Sequence, residues 1–384
     1  MIMRSNYAWL AIIAVLALAG CAQIDQRSDE PDKKPLVETA FPLTVKSKWE
    51  ADTGKGTGRK DVKLLLAPYG KNLYTVDSKG HITVVDEQTG VLQWEQDLKA
   101  RVSAGPTVAE GKLVVGTSDG KVIAVDLANG KVAWKSNASS EILATPRISD
   151  DVVFIHTMDG GLSALSLADG RQLWRFTHNL PPLMLRRSST PIVVGDAVIA
   201  GFANGKLLAI RKSDGNVLWA QDISRPKGTT DLQRMIDISA DPVVQGDRVY
   251  AASYQGNIAA LTIGNGHLIW ERAVASFAGF VLDRNMIYVS ETNGDIVALD
   301  IQNGATYWLQ ADLQGRRLSK PAIMGKYLVI ADEDGYIHWI DKSSGKLAGR
   351  FKMNSRGVEA TPIVNNNIVY ILGCNGKLVA LEVC

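Results

Sequence analysis

Residues 120–134 read GKVIAVDLANGKVAW. Aliphatic side chains alternate with small or polar ones up to Val125, Asn129-Gly130 supplies a turn, and a second extended run ends on Trp134: strand, turn, strand. The unit recurs with its glycine at the front and a tryptophan at the end, as Gly80 to Trp94 (GHITVVDEQTGVLQW), Gly160 to Trp174 (GGLSALSLADGRQLW) and Gly205 to Trp219 (GKLLAIRKSDGNVLW). Gly256 to Trp270 (GNIAALTIGNGHLIW) and Gly294 to Trp308 (GDIVALDIQNGATYW) continue the series. A seventh copy from Gly335 carries Gly349 in place of Trp, and an eighth, GKLVALEVC from Gly376, ends at Cys384. The leading glycines are 40, 40, 45, 51, 38, 41 and 41 residues apart, the period of a four-stranded propeller blade.

Each unit is preceded by an aliphatic strand such as Lys112 to Thr117 and by a shorter proline-containing one: AGPTV (104–108), ATPRI (144–148), STPIV (189–193), ADPVV (240–244), SKPAI (319–323) and ATPIV (360–364). Asp119-Gly120 and its counterparts are expected to form two-residue hairpins with positive φ at both central residues. We label the strands A to D from the short proline strand outward, with Trp on D. The eighth unit has no D strand, whereas VKSKWEAD (45–52) is D-like and belongs to no unit. Joining the two closes a ring and removes an unpaired sheet edge. The expectation is therefore an all-β, eight-bladed propeller of four-stranded antiparallel blades over residues 45–384. Trp49, Trp94, Trp134, Trp174, Trp219, Trp270 and Trp308 are read as mortar between blades, each burying a large ring.

Composition agrees. Of 384 residues 46% are hydrophobic and 21% charged, and 42 basic side chains against 40 acidic ones give no bias toward nucleic acid. The three cysteines, Cys21, Cys374 and Cys384, include no CxxC pair. Cys374 and Cys384 flank one strand and should lie roughly 25–30 Å apart at about 3.3 Å per residue, too far for a disulfide.

Arg4 and the uncharged run from Ser5 to Gly20 suit a secretory signal rather than a membrane span. Leu18-Ala19-Gly20-Cys21 resembles the bacterial lipobox, which implies a signal peptide over 1–20 and a lipid on Cys21. Ala22, where a retention signal would place Asp, resembles the outer-membrane pattern. Residues 22–44 carry mixed charge and three prolines and are expected to form a flexible tether spanning about 25 Å. The lipidated segment is thus 21–44.

Catalytic motifs do not survive their context. Gly116-Thr-Ser-Asp-Gly120 matches G-x-S-x-G, yet it falls in the B-to-C hairpin rather than at a strand-to-helix elbow. Gly54-Lys-Gly-Thr-Gly58 lacks phosphate-loop spacing and reads as the connection from the closing strand to blade one. His81, His156, His178, His267 and His338 occupy unrelated repeat positions and are expected on the surface or in turns. Asp126 and Asp300 precede turns and are read as turn formers. No cofactor or metal site is expected.

The repeat is broken at two places, after Trp174 and after Trp219. Strand parity puts D-to-A loops and B-to-C turns on one face, so both insertions crown the same side, where loops on a rigid scaffold carry binding. The first contains Leu180-Pro-Pro-Leu-Met-Leu-Arg-Arg187, stiff and apolar-basic; the second adds Arg234, Met235, Ile236 and Asp237.

The lipobox, the blades, PLVETAF (35–41) and LPPLMLRR (180–187) together resemble the BamB family, the propeller lipoproteins of the outer-membrane β-barrel assembly machine, over essentially the entire chain. The resemblance implies a non-enzymatic scaffold on the periplasmic face of the outer membrane. It would bind the POTRA domains of BamA and assist nascent outer-membrane proteins. By position, Leu183, Leu185, Arg186 and Asp237 would be partner contacts, while Ser239 stands where the family has a second acid. Two rivals remain: a dehydrogenase using pyrroloquinoline quinone, whose propellers have similar Trp-docking repeats, and a generic envelope peptide-binding propeller.

Overall fold

The computed structural model describes residues 32–37, 40–58 and 62–384. The signal segment and Cys21 lie outside the described residues. Among the described residues every regular element is a strand, and the strands form eight sheets, antiparallel but for one short addition, arranged as a propeller. Blade two is representative: Val102–Ala109, Lys112–Thr117, Lys121–Asp126 and Val132–Asn137 follow one another from channel to rim. A two-residue strand, Lys63–Leu64, adds to its inner edge in parallel and is, among the described residues, the one departure from antiparallel pairing.

Blade eight is assembled from both ends of the chain. Val45–Asp52 pairs with Lys377–Val383, placing Val45 opposite Val383 and Asp52 opposite Lys377. All eight outer pairs share a register shift beside the Trp position. A bulge there twists the rim strand and swings the ring toward the next blade.

The second glycine of each unit then explains itself. The Trp134 ring lies over Gly170, where an added Cβ would stand 2.5 Å from Cε3, and Trp134 Nε1 donates to Leu167 O at 2.7 Å. Trp49, Trp94, Trp174, Trp219, Trp270 and Trp308 lie likewise over Gly90, Gly130, Gly215, Gly266, Gly304 and Gly345 of the following blade. Each such glycine has φ between 67° and 77°, so it serves a left-handed turn and an aromatic lid together. Gly349, which replaces Trp in blade seven, is covered instead by Leu43, whose Cβ approaches the added Cβ position to 3.0 Å.

That contact belongs to a segment expected to be flexible. Residues 32–37 and 40–44 are seated along blade seven: Lys34 N donates to Gln314 O at 3.0 Å, Arg350 Nη1 to Val37 O at 2.9 Å, and Leu43 N to Ala348 O at 3.0 Å. Leu36 and Leu43 pack against neighbouring cores, and Lys33 pairs with Glu333 at 2.7 Å. A blade without its tryptophan leaves an apolar slot, and the N-terminal strap fills it.

Other local expectations change in detail. Five of the six proline strands begin one residue after their proline, as Arg147–Ser149 does after Pro146; only Val102–Ala109 contains its own. Seven of the B-to-C hairpins have positive φ at Gly120 or its counterpart alone, so they are longer loops closed by one left-handed glycine; Gly256 in blade five is the exception. Two positive-φ residues in succession occur in the A-to-B hairpins, at Glu110-Gly111, Asp150-Asp151 and Asn366-Asn367. The G-x-S-x-G run is one of the B-to-C hairpins, with Gly120 N donating to Thr117 O at 3.2 Å. Asp126 Oδ1 accepts from Ala128 N and Asp300 Oδ1 from Gln302 N, at 2.9 and 2.8 Å, as turn formers do. The Gly54–Gly58 loop spans blades eight and one, with Thr57 N bonded to Cys374 O at 3.1 Å. Cys374 and Cys384 are both free thiols.

Candidate functional site

Both long connections rise on the face that also carries the B-to-C turns. Leu185, Ser239, Phe277 and Arg317 come from D-to-A connections, Tyr254 and Glu291 from B-to-C turns, and all line one cavity at the channel mouth. The two insertions are fastened to each other. Leu185 N donates to Asp237 Oδ1 at 2.8 Å, while the peptide on the other side of Asp237 accepts from Tyr254 N at 2.8 Å. Asp237 is only 1% exposed and its Oδ2 has no partner, so burial pushes its carboxyl up to about 6.

The sequence-predicted contacts therefore divide. Leu183 is 45% exposed at the crest of the first insertion, next to Pro182. Leu185 is half-buried and Arg186 is exposed but tied to Glu141, its Nε 3.2 Å from Oε2. Asp237 is placed beneath the surface, where it holds Leu185 rather than facing solvent. Met235 and Ile236 are buried too, the latter against Gly205, because the tail of the second insertion runs inward to the next blade. Arg234 and Leu232 stay exposed. Ser239 is buried with an unpartnered Oγ.

Two histidines correct the expectation of surface positions. His156 and His338 end or occupy inner strands and are 3% and 0% exposed. Burial holds His156 neutral with its pKa at about 4, its Nδ1 3.1 Å from Ser189 O. His338 sits 3.2 Å from Asp332, which also takes Arg316 Nη1 at 3.1 Å. These are buried polar ties between turns. Among the described residues no three His, Cys, Asp or Glu side chains cluster as metal ligands would.

Sequence reasoning missed the channel floor. Lys63 donates to Thr190 Oγ1 at 2.8 Å and pairs with Asp241 at 2.5 Å, and Asp241 also accepts from Thr190 N at 2.6 Å. Burial lowers the Lys63 ammonium to about 8 in spite of Asp241. Burial pushes Asp241 upward, yet Lys63 and Lys320 outweigh it and hold the carboxyl at about 2. A signal was available: the residue before the strand-A proline is Gly105, Thr145, Thr190 or Thr361 in four repeats and Asp241 or Lys320 in the other two.

A closed eight-bladed ring with Trp-on-Gly docking and a built-up loop face defines an eight-bladed β-propeller of the tryptophan-docking type. A family model described as outer membrane protein assembly factor BamB matches residues 78–310. Curated proteins of that name are similar along their length: one from Alkalilimnicola ehrlichii is 42% identical over 375 residues, covering 98% of this chain and 96% of the relative. One from Escherichia coli K12 is 31% identical over 380 residues, covering 96% and 97%. The chain belongs to the BamB family. The crystal structure of BamB from Moraxella catarrhalis superposes with a TM-score of 0.81 at 23% identity, over 88% of this chain and all of that one. A quinohemoprotein alcohol dehydrogenase from Pseudomonas putida HK5 shares the fold, with a TM-score of 0.70 at 12% identity over 88% of this chain and 76% of that one.

Proposed function

We propose that this chain is a non-enzymatic scaffold of the outer-membrane β-barrel assembly machine, docking on the POTRA domains of BamA through the first insertion. The observation that carries the reading is Leu183, a large apolar side chain held out on a loop whose base is clamped by Asp237. Rigid presentation lowers the entropy lost on association, and an apolar anchor beside an arginine is the chemistry of interface hot spots. A partner carboxylate would have to displace Glu141 from Arg186. Asp237 acts as a positioning residue, and Ser239 at the second acidic position leaves the clamp with one carboxylate. A lipid on Cys21 would hold the propeller at the periplasmic face of the outer membrane, in keeping with relatives named as outer membrane protein assembly factors. Likeness to quinohemoproteins at 12% identity concerns the fold alone.

Affinity capture from solubilised envelopes tests the reading. Leu183→Asp and Arg186→Glu should each reduce recovery of BamA, with a loss of about 1–4 kcal/mol in binding and no change in thermal midpoint. Recovery equal to the parent for both would remove this loop from the interface.

A further inference from the structure

The floor of the channel holds more positive charge than it neutralises. Lys63, Arg147 and Lys320 all act electrostatically on Asp241, the one carboxylate among them. Asp241 Oδ1 is engaged by Lys63 and by Thr190 N. Arg147 donates its Nε to Pro191 O at 3.0 Å, a neutral acceptor. Lys320 feels Asp241 only through space, and burial still pulls its ammonium below the usual lysine range. Three cations and one anion leave a formal excess of two charges in a poorly solvated volume, an arrangement stabilised by a further anion.

Above the floor the character changes. Leu65, Leu143, Leu185, Val358 and Phe277 give the walls an apolar surface. Phe277 is faced by Arg187, 4.4 Å from its centroid, and by Arg317 at 5.9 Å, which fixes a cationic collar around an aromatic ring. Besides Asp241, the acids of the cavity are Glu291, Glu333 and Glu359; they come from blades six to eight, and Glu333 is already paired with Lys33. The cavity is about 410 Å³, within the range of roughly 300–1,000 Å³ typical of small-molecule sites.

We propose that this channel binds an organic carboxylate with a hydrophobic body, the carboxylate seated beside Lys320 and Lys63 and the apolar part against Phe277 and Leu185. Among macromolecules the same chemistry is offered by a free C-terminal chain end with an apolar last residue; a cavity of this volume admits a chain end rather than a passing strand. The site goes beyond the partner reading above and shares Leu185 and Arg186 with it.

Titration calorimetry on the full-length, detergent-solubilised protein tests it. The probes are 4-phenylbutyrate, 4-phenylbutanol, inorganic phosphate, and one octapeptide ending in Phe, prepared with a free and with an amidated C-terminus. Phenylbutyrate and the free-acid peptide should bind, with phenylbutanol, phosphate and the amidated peptide at least tenfold weaker. Lys320→Met should weaken phenylbutyrate at least tenfold while Lys320→Arg retains it, and neither should alter BamA recovery. Phe277→Ala, which leaves every floor charge in place, should weaken phenylbutyrate but not phosphate. Equal binding of phenylbutyrate and phenylbutanol, or no effect of Lys320→Met, would overturn the charge-based site. Phosphate binding as tightly as phenylbutyrate would overturn the hydrophobic half. Equal affinity for the free-acid and amidated peptides would overturn the chain-end source and leave a small carboxylate.

Discussion

The backbone N–H of Leu185 donates to Oδ1 of Asp237 at 2.8 Å, across two insertions that are 52 residues apart in the chain. The bond joins the loops of adjacent blades and sets the height at which Leu183, two residues earlier, stands above the channel mouth. A buried carboxylate with one oxygen unpartnered is a costly clamp.

The cost depends on pH. The carboxyl at about 6 in the folded protein lies above its unfolded value, so the folded state binds the proton more tightly. That contribution is fully present below about pH 4 and is lost as pH rises through 6, about 2–3 kcal/mol in all. Asp237→Asn keeps an acceptor for Leu185 N and removes the charge. It should raise the thermal midpoint at pH 8, with the gain vanishing by pH 4. A gain of equal size at both pH values would show that Asp237 does not titrate in this range.

The blade seams supply a second prediction. Trp134→Ala removes a ring that lies on Gly170 and leaves Leu167 O without its donor. The loss should be about 3–5 kcal/mol, read from denaturant midpoints. Gly170→Ala, with φ of 73° and no room for a Cβ, should also destabilise. Because both remove one seam, the double variant should lose less than the sum of the two.

Blade seven is sealed differently, and Leu43→Ser should expose the difference. Leu43 is half-buried over Gly349, so its loss should cost somewhat less than a core leucine, about 1–2 kcal/mol. Limited proteolysis should then cleave the strap between residues 32 and 44 faster than in the parent. Unchanged cleavage would mean that Leu43 does not hold the strap.

Lipidation is tested by fractionation. Cys21→Ser should move the protein from the membrane pellet to the soluble periplasmic fraction without changing its thermal midpoint. Continued pelleting in the absence of BamA would argue against the lipobox reading.

The blade number and the closing strand Val45–Asp52 were legible in the chain because the turn and strand signals recur in every 40-residue repeat and one strand had no unit of its own. Strand alternation and turn glycines act locally, and the orphan strand could pair only with the unit that lacked one. Surface against interior was less legible. His156, His338 and Asp237 are polar residues that long-range packing buries, and no local pattern distinguishes them from exposed ones. The N-terminal strap misled for a related reason: mixed charge and prolines describe a segment without its own periodicity, yet Gly349 leaves a slot for it some 300 residues away.

What the sequence by itself determined was therefore the ring, since eight similar sheets with twisted edges reach closure by repetition. What only the tertiary structure decided was what the ring encloses. Lys63 and Asp241 are 178 residues apart, and Lys320 lies on a further blade; closure alone brings such distant side chains to one axis, where charges that water would screen must answer to each other.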